Sequence, residues 1–198
     1  PLYAPRELEA QLKDSDAKAI VILENFGATL EECLARTPVK HVVLCAMGDR
    51  LGWLKGTLVN HVVRKIKKMV PAFSLPTAVR FNEALTLGER CTLTSPDIHG
   101  DDLAVLQYTG GTTGVAKGAE LLHRNVMANM LQASAWFQPA LKRIPANEIP
   151  TFICPLPLYH IFAFTLNIMA CMRMGGCSVL IPNPVSYTHL TLPTTPYV

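Results

Sequence analysis

The sequence is poor in charge and in aromatic rings: Asp, Glu, Lys and Arg make up 17% of its 198 residues, and Phe, Trp and Tyr 7%. So few charges, beside 49% apolar residues, exclude a disordered chain and supply a buried core. Neither sign of charge dominates: the balance is +3, too mild for a nucleic-acid binder, and no nucleic-acid partner is expected. There is no C-x-x-C pair and no Cys/His cluster at zinc spacing; Cys33, Cys45, Cys91, Cys154, Cys171 and Cys177 stand apart. They are expected as reduced, mostly buried thiols of a cytoplasmic protein. A long hydrophobic run is missing too. The longest apolar stretch, Ile161 to Met172, contains Thr165 and Asn167 and stops at Arg173. A membrane-crossing helix needs about 20 apolar residues. The first residues are polar and broken by Pro1 and Pro5, unlike a signal peptide. Residue 1 is not Met, so the chain is expected to be a piece of a longer one.

What is present alternates. Pro5 to Asp16 reads as a helix with Leu8 and Leu12 one turn apart. Ala19 to Leu23 reads as a buried strand, Thr29 to Ala35 as a helix, and His41 to Cys45 as a second strand. Helix–strand alternation of this kind predicts an α/β fold, a mostly parallel sheet with flanking helices. Further strands are expected at Asp102–Tyr108, Thr151–Cys154 and Ser178–Ile181, and helices at Leu121–Phe137 and Tyr159–Met174, the latter ended by Gly175-Gly176.

The densest chemistry lies in Tyr108-Thr109-Gly110-Gly111-Thr112-Thr113-Gly114-Val115-Ala116-Lys117-Gly118, between an expected strand and an expected helix. Glycines let a backbone turn tightly and approach a ligand closely. Successive free N–H groups can cradle anionic oxygens. Thr109, Thr112 and Thr113 add hydroxyls, and Lys117 adds a positive charge suited to a polyphosphate. The segment is not a Walker A loop, because Ala116 precedes Lys117 and Gly118 follows it. It also lacks the G-x-G-x-x-G spacing of dinucleotide-binding turns.

This segment resembles the phosphate-binding signature of the adenylate-forming (AMP-binding) superfamily. His123-Arg124-Asn125 and Pro155-Leu156-Pro157-Leu158-Tyr159-His160-Ile161-Phe162-Ala163 resemble its continuation and next core motif. Within the superfamily the chain is most similar to the bacterial long-chain fatty acid–CoA ligases, from Pro1 to about Pro184. The resemblance implies a partial N-terminal domain of an adenylate-forming enzyme. It implies a two-step reaction: a fatty acid carboxylate attacks the α-phosphate of ATP, and the thiol of CoA then displaces AMP. By the same resemblance Thr109, Gly110, Gly111, Thr112, Thr113, Gly114 and Lys117 hold the ATP phosphates, and one loop threonine, Thr112 in preference to Thr113, helps coordinate Mg²⁺. Tyr159 and His160 stand beside the acyl-adenylate, with His160 orienting the carboxylate. Phe162, Phe164 and Met169 either line an acyl channel or form ordinary helix core, and core is the preferred reading.

Leu58 to Val70 forms a second pattern. On a wheel of about 100° per residue, Val59, Val62, Val63, Ile66, Met69 and Val70 share one side with Leu58. Arg64, Lys65, Lys67 and Lys68 share the other, and no acidic residue lies between Leu51 and Leu75. The pattern fits a helix lying on an anionic membrane surface, here the inner face, or a surface helix packed on its own domain.

Family parts expected downstream are absent, so residues 1–184 are expected to be a fragment of the larger AMP-binding domain, with little activity alone. Residues 185–198 carry no formally charged side chain and read as an adapter-like, non-native tail. Two alternatives stand beside the long-chain ligase: an adenylating ligase for another carboxylic acid, and a non-catalytic nucleotide-binding or membrane-peripheral module.

Overall fold

The computed structural model describes residues 3–109, 117–145 and 147–181. The chain divides at Pro96/Asp97 into two units.

The first unit opens with α1 (Pro5–Asp14), where Pro5 occupies the first turn and Glu7 accepts a hydrogen bond from the Ala4 N–H at 2.9 Å. Proline costs nothing there, since that N–H has no partner within a helix. Strand β1 (Ala19–Leu23), a 3₁₀ turn (Glu24–Phe26), α2 (Gly27–Leu34) and β2 (His41–Cys45) follow. After α3 (Trp53–His61) and a wider π-helical turn (Val62–Ile66) come β3 (Val79–Arg80) and α4 (Phe81–Gly88). The three strands are parallel in the order β1-β2-β3, with Ala19 opposite His41 and Val43 opposite Val79. This is the parallel α/β arrangement that the alternation predicts. The strand limits of β1 and β2 match the sequence reading.

Leu12, Leu30, Cys33, Val42 and Leu44 form the core of this unit, with Ile20, Ile22 and Phe73 packed against it. Phe73 lies on Gly27: a Cβ there would meet its ring at 2.6 Å. A second close approach fixes α3. A Cβ on Gly56 would stand 2.4 Å from the Gly48 carbonyl oxygen, and one on Gly48 would stand 2.3 Å from that of Gly56. The Gly48 N–H also donates to Asn60 Oδ1 at 2.8 Å.

Glu24 is buried, with 2% of its side chain exposed, and is held from two sides. Arg64 donates through Nε and Nη2 at 2.7 and 2.9 Å, and Arg80 through Nη1 at 2.8 Å. Burial works against the Glu24 carboxylate, but these hydrogen bonds outweigh it and hold its pKa below the ordinary value of 4.5.

That ion triad corrects the sequence reading of 58–70. Arg64, itself 40% exposed, is bound to the buried Glu24 and is not a free cation of a basic face. The helix does not run to Val70 either. The π-helical turn slips the phase of the wheel, and Lys68 adopts the left-handed backbone (φ 49°) that ends it. Val63 is buried, whereas Leu58, Ile66 and Met69, placed on the same side by the wheel, are exposed.

The second unit contains β4 (Leu103–Thr109), β5 (Lys117–Leu122), α5 (His123–Leu141), β6 (Thr151–Cys154) and β7 (Cys177–Leu180). Between β6 and β7 run α6 (Ile161–Ala163), a π-helical stretch (Phe164–Ala170) and α7 (Cys171–Arg173). Strands β6 and β7 are parallel, and Gly175, at φ 65°, ends the crossover where the sequence places a stop. Strands β4 and β5 are antiparallel. The glycine-rich segment therefore joins two strands, not a strand and a helix, and α5 begins two residues later than the pattern indicates. The edge-to-face pair Phe137–Phe152, 5.7 Å between ring centroids, fastens α5 to β6.

No disulfide forms. Cys33, Cys154 and Cys171 are buried, Cys45 is half-buried, and Cys91 and Cys177 are exposed, so burial is less general than expected. Burial pushes the Cys33, Cys45 and Cys171 thiols up, which leaves them poor nucleophiles. No helix among the described residues is long and apolar enough to cross a membrane. The proposed tail, 185–198, lies outside the described residues.

Candidate nucleotide and acyl site

Strands β4 and β5 hold the two ends of the glycine loop in fixed register. Thr109 lies directly opposite Lys117, and Tyr108 opposite Gly118. Both members of the end pair are residues that the sequence assigns to phosphate binding. A cross-strand pair of this kind sets their Cα atoms about 4.5–5.5 Å apart. Gly110, Gly111, Thr112, Thr113 and Gly114 lie outside the described residues, between these two anchors. Lys117 is exposed at the mouth of the loop, where an ammonium can meet an anion.

Gly118 has a local reason. The Tyr108 ring lies across it, and a Cβ would stand 3.0 Å from that ring. Tyrosine on glycine covers a bare stretch of backbone and helps pin the register. Beyond β5, Asn125 Oδ1 accepts from the Leu122 N–H at 3.0 Å and caps α5. Arg124 pairs with Asp101, and the N–H groups of His123 and Arg124 donate to the Asp102 and Gly100 carbonyls. The His123-Arg124-Asn125 run thus ties the start of α5 to the segment before β4.

Tyr159 and His160 are both exposed at the end of the loop leading into α6. His160 caps α6: its Nδ1 accepts from the Phe162 N–H at 3.3 Å. An Nδ1 that accepts has its lone pair engaged. The neutral ring then carries its proton on Nε2, which is left to donate outward, for example to a carboxylate oxygen.

A cavity of about 770 Å³ lies between α5 and the helical segment after His160. Its apolar wall includes Val126, Trp136, Phe137, Ile161, Phe162 and Leu166. Asn125, Asn129 and Gln132 line it as well, four and three residues apart on α5. The volume falls within the usual range for small-molecule sites, about 300–1,000 Å³. Leu121 also lines it, so β5, the strand that begins with Lys117, and α6, the helix that His160 caps, both reach the same cavity. Of the three residues weighed for an acyl channel, Phe162 lines the cavity; Phe164 and Met169 are half-buried and are not among its lining residues.

The sequence reading missed the carboxamide row and Trp136. Its signal was available: three amides spaced along one face of the helix. It also missed β5, whose Lys117–Leu122 has no clear alternation. Among the described residues no group of three or more His, Cys, Asp or Glu is placed to hold a metal ion, and Thr112 lies outside them.

The sequence matches the AMP-binding enzyme family over residues 1–193. It is 53% identical over 184 residues to a protein named long-chain-fatty-acid–CoA ligase from Escherichia coli O157:H7, covering 93% of this chain and 32% of that one. The chain thus spans about a third of the length of the curated relatives it matches. A long-chain-fatty-acid-CoA ligase from Archaeoglobus fulgidus has a similar structure, with TM-score 0.52 and 25% identity, over 91% of this chain and 29% of that one. The A domain of a carboxylic acid reductase from Segniliparus rugosus, with TM-score 0.62 and 18% identity over 91% of this chain and 28% of that one, shares the fold. The α/β architecture, the glycine-rich hairpin and the match along almost the whole chain agree: the chain belongs to the AMP-binding enzyme family.

Proposed function

We propose that this chain is part of an ATP-dependent long-chain fatty acid–CoA ligase. In the first step a fatty acid carboxylate attacks the α-phosphate of ATP, forming acyl-adenylate and releasing pyrophosphate. In the second the thiol of CoA attacks the acyl carbonyl and AMP leaves. The observation that carries this reading is the pairing of Thr109 with Lys117 at the mouth of the glycine loop. It brings a cation and the two ends of a glycine-rich backbone together where a polyphosphate can be held. Thr109, Gly110, Gly111, Thr112, Thr113, Gly114 and Lys117 are its phosphate-binding set, with Thr112 the candidate ligand of a Mg²⁺ ion that would offset phosphate charge. His160 donates from Nε2 to the acid, and Tyr159 stands beside it. The apolar cavity next to them takes the acyl chain. The same reading places the protein in the cytoplasm, at the inner membrane face, where an acid that partitions into lipid is met.

The carboxamide row of Asn125, Asn129 and Gln132 favours a second reading, activation of a carboxylic acid that carries polar substituents. ATP–pyrophosphate exchange by the protein of full family length separates the two. Exchange dependent on palmitate, and lowered about 10²-fold by His160→Ala, is the expected result. Exchange with a hydroxylated aromatic acid but not with palmitate establishes the second reading. Exchange with neither overturns both.

A further inference from the structure

The cavity between α5 and the helical segment after His160 has two distinguishable ends. Asn125, Asn129, Gln132 and Trp136 line it at spacings of four, three and four, so they form one stripe along α5. At about 1.5 Å per residue, the stripe from Asn125 to Trp136 is about 16 Å long.

The direction of the opposite wall follows from its contacts. Phe137 packs edge-to-face on Phe152, with 5.7 Å between centroids. A Cβ on Gly176 would stand 3.0 Å from both the Phe152 ring and Cys171 Sγ, so the far end of the helical segment lies beside Phe137. Its start, at Ile161 and Phe162, lies most of a helix length away and shares the cavity with Leu121 and Asn125. The two walls therefore run in the same direction. His160 stands at the end where β5 enters α5, and Trp136 marks the opposite end.

Trp136 differs from its neighbour there. Phe137 is half-buried and held by Phe152, whereas Trp136 lines the cavity with 83% of its surface exposed and has no aromatic partner among the described residues. Such a ring, open on its outer side, can turn between rotamers onto whatever fills the cavity. Covering its large apolar area is favourable.

We propose that Trp136 selects acyl-chain length: its ring closes over the terminal methylenes of a long chain and meets nothing when the chain is short. The proposal rests on the reading that this cavity takes the acyl chain. Dimensions separate the two classes of acid once the carboxylate is held at the His160 end. The seven C–C bonds of octanoate, each about 1.5 Å, reach about 11 Å at most, short of Trp136. The fifteen of palmitate pass it.

Two measurements test this. In ATP–pyrophosphate exchange by the protein of full family length, Trp136→Ala should lower the preference for palmitate over octanoate about tenfold, through the KM for palmitate and not through kcat. Trp136→Phe should restore most of the preference. The side chain is exposed and alanine favours a helix, so the fold should persist. In the second measurement the 198-residue chain carries Trp53→Phe, which leaves Trp136 as its one tryptophan. Its emission should shift to the blue with palmitate, kept below micelle-forming concentration, and not with octanoate; no ATP is needed. Equal losses with both acids, a preference unchanged by Trp136→Ala, or emission that octanoate shifts as far as palmitate overturns the proposal. Exchange with no fatty acid would defeat the ligase reading instead, and the emission of Trp136 then decides: a shift specific to palmitate upholds its place over a long chain, and no shift removes it.

Discussion

Each unit contains parallel strands joined by a helical crossover, but they differ in what covers them. In the first unit α1 and α2 cover one side of the sheet, where Leu30 and Cys33 are wholly enclosed, while Val21 on β1 is 63% exposed. In the second, Ile153 on β6 is 63% exposed, and Val179 and Leu180 on β7 are also open. Glycine serves the two differently as well. Gly27, Gly48 and Gly56 let elements of the first unit approach closely, as Gly176 does in the second, but Gly110, Gly111 and Gly114 of the second unit fall in the loop between Thr109 and Lys117. The difference teaches that the first unit concentrates packing and the second concentrates chemistry. Apolar strand faces such as those of β6 and β7 require a further layer in a stable domain.

Substitutions should separate the two kinds of role. The largest effect is expected from Lys117→Ala, about 10³-fold on pyrophosphate exchange by the protein of full family length. Its unfolding midpoint in urea should move little, since an exposed side chain contributes at most about 1 kcal/mol. Gly56→Ala should do the reverse. Its new methyl would meet the Gly48 carbonyl, and backbone cannot yield cheaply, so a loss of about 3 kcal/mol in urea unfolding is expected. Glu24→Gln follows at about 2 kcal/mol, because it removes the charge that both arginines bond. The folded pKa of Glu24 lies below its unfolded value, so this contribution is complete above about pH 4.5 and fades as the pH falls through the folded value. A gap between the parent and Glu24→Gln that stayed constant across this range would refute the assignment. The smallest effect, about 1 kcal/mol, is expected of Gly118→Ala, where the Tyr108 ring can shift to admit a methyl. If Gly118→Ala instead proved as damaging as Gly56→Ala, the second unit would also depend on tight packing.

How far the sequence foretold this structure follows the same division. Ala19–Leu23 and His41–Cys45 are short apolar runs in a parallel sheet, and such runs are plain in one dimension, although β1 is less buried than the sequence suggests, with Val21 63% exposed. Lys117–Leu122 is paired on one side to a single neighbour, and its residues carry no alternating signal, so tertiary pairing alone reveals it as a strand. The wheel of 58–70 failed for another reason. It assumed one helical period, whereas the π-helical turn changes the phase and a distant carboxylate, Glu24, claims Arg64. In the site, residue types and spacing marked Thr109, Lys117 and His160. The tautomer of His160 required the Phe162 N–H, and the cavity required the approach of α5 and the helix after His160.

The pairing of Thr109 with Lys117 has a consequence for how such a loop can change over evolutionary time. Side chains alternate along a strand, so one residue inserted within β5 would send Lys117 to the opposite side relative to Leu121 and the cavity. One residue inserted between the two anchors would leave that orientation untouched and lengthen only the loop. The hairpin thus separates what can drift from what cannot. The reach of the loop is free to vary by small insertions, whereas the side from which its lysine acts is locked by strand parity.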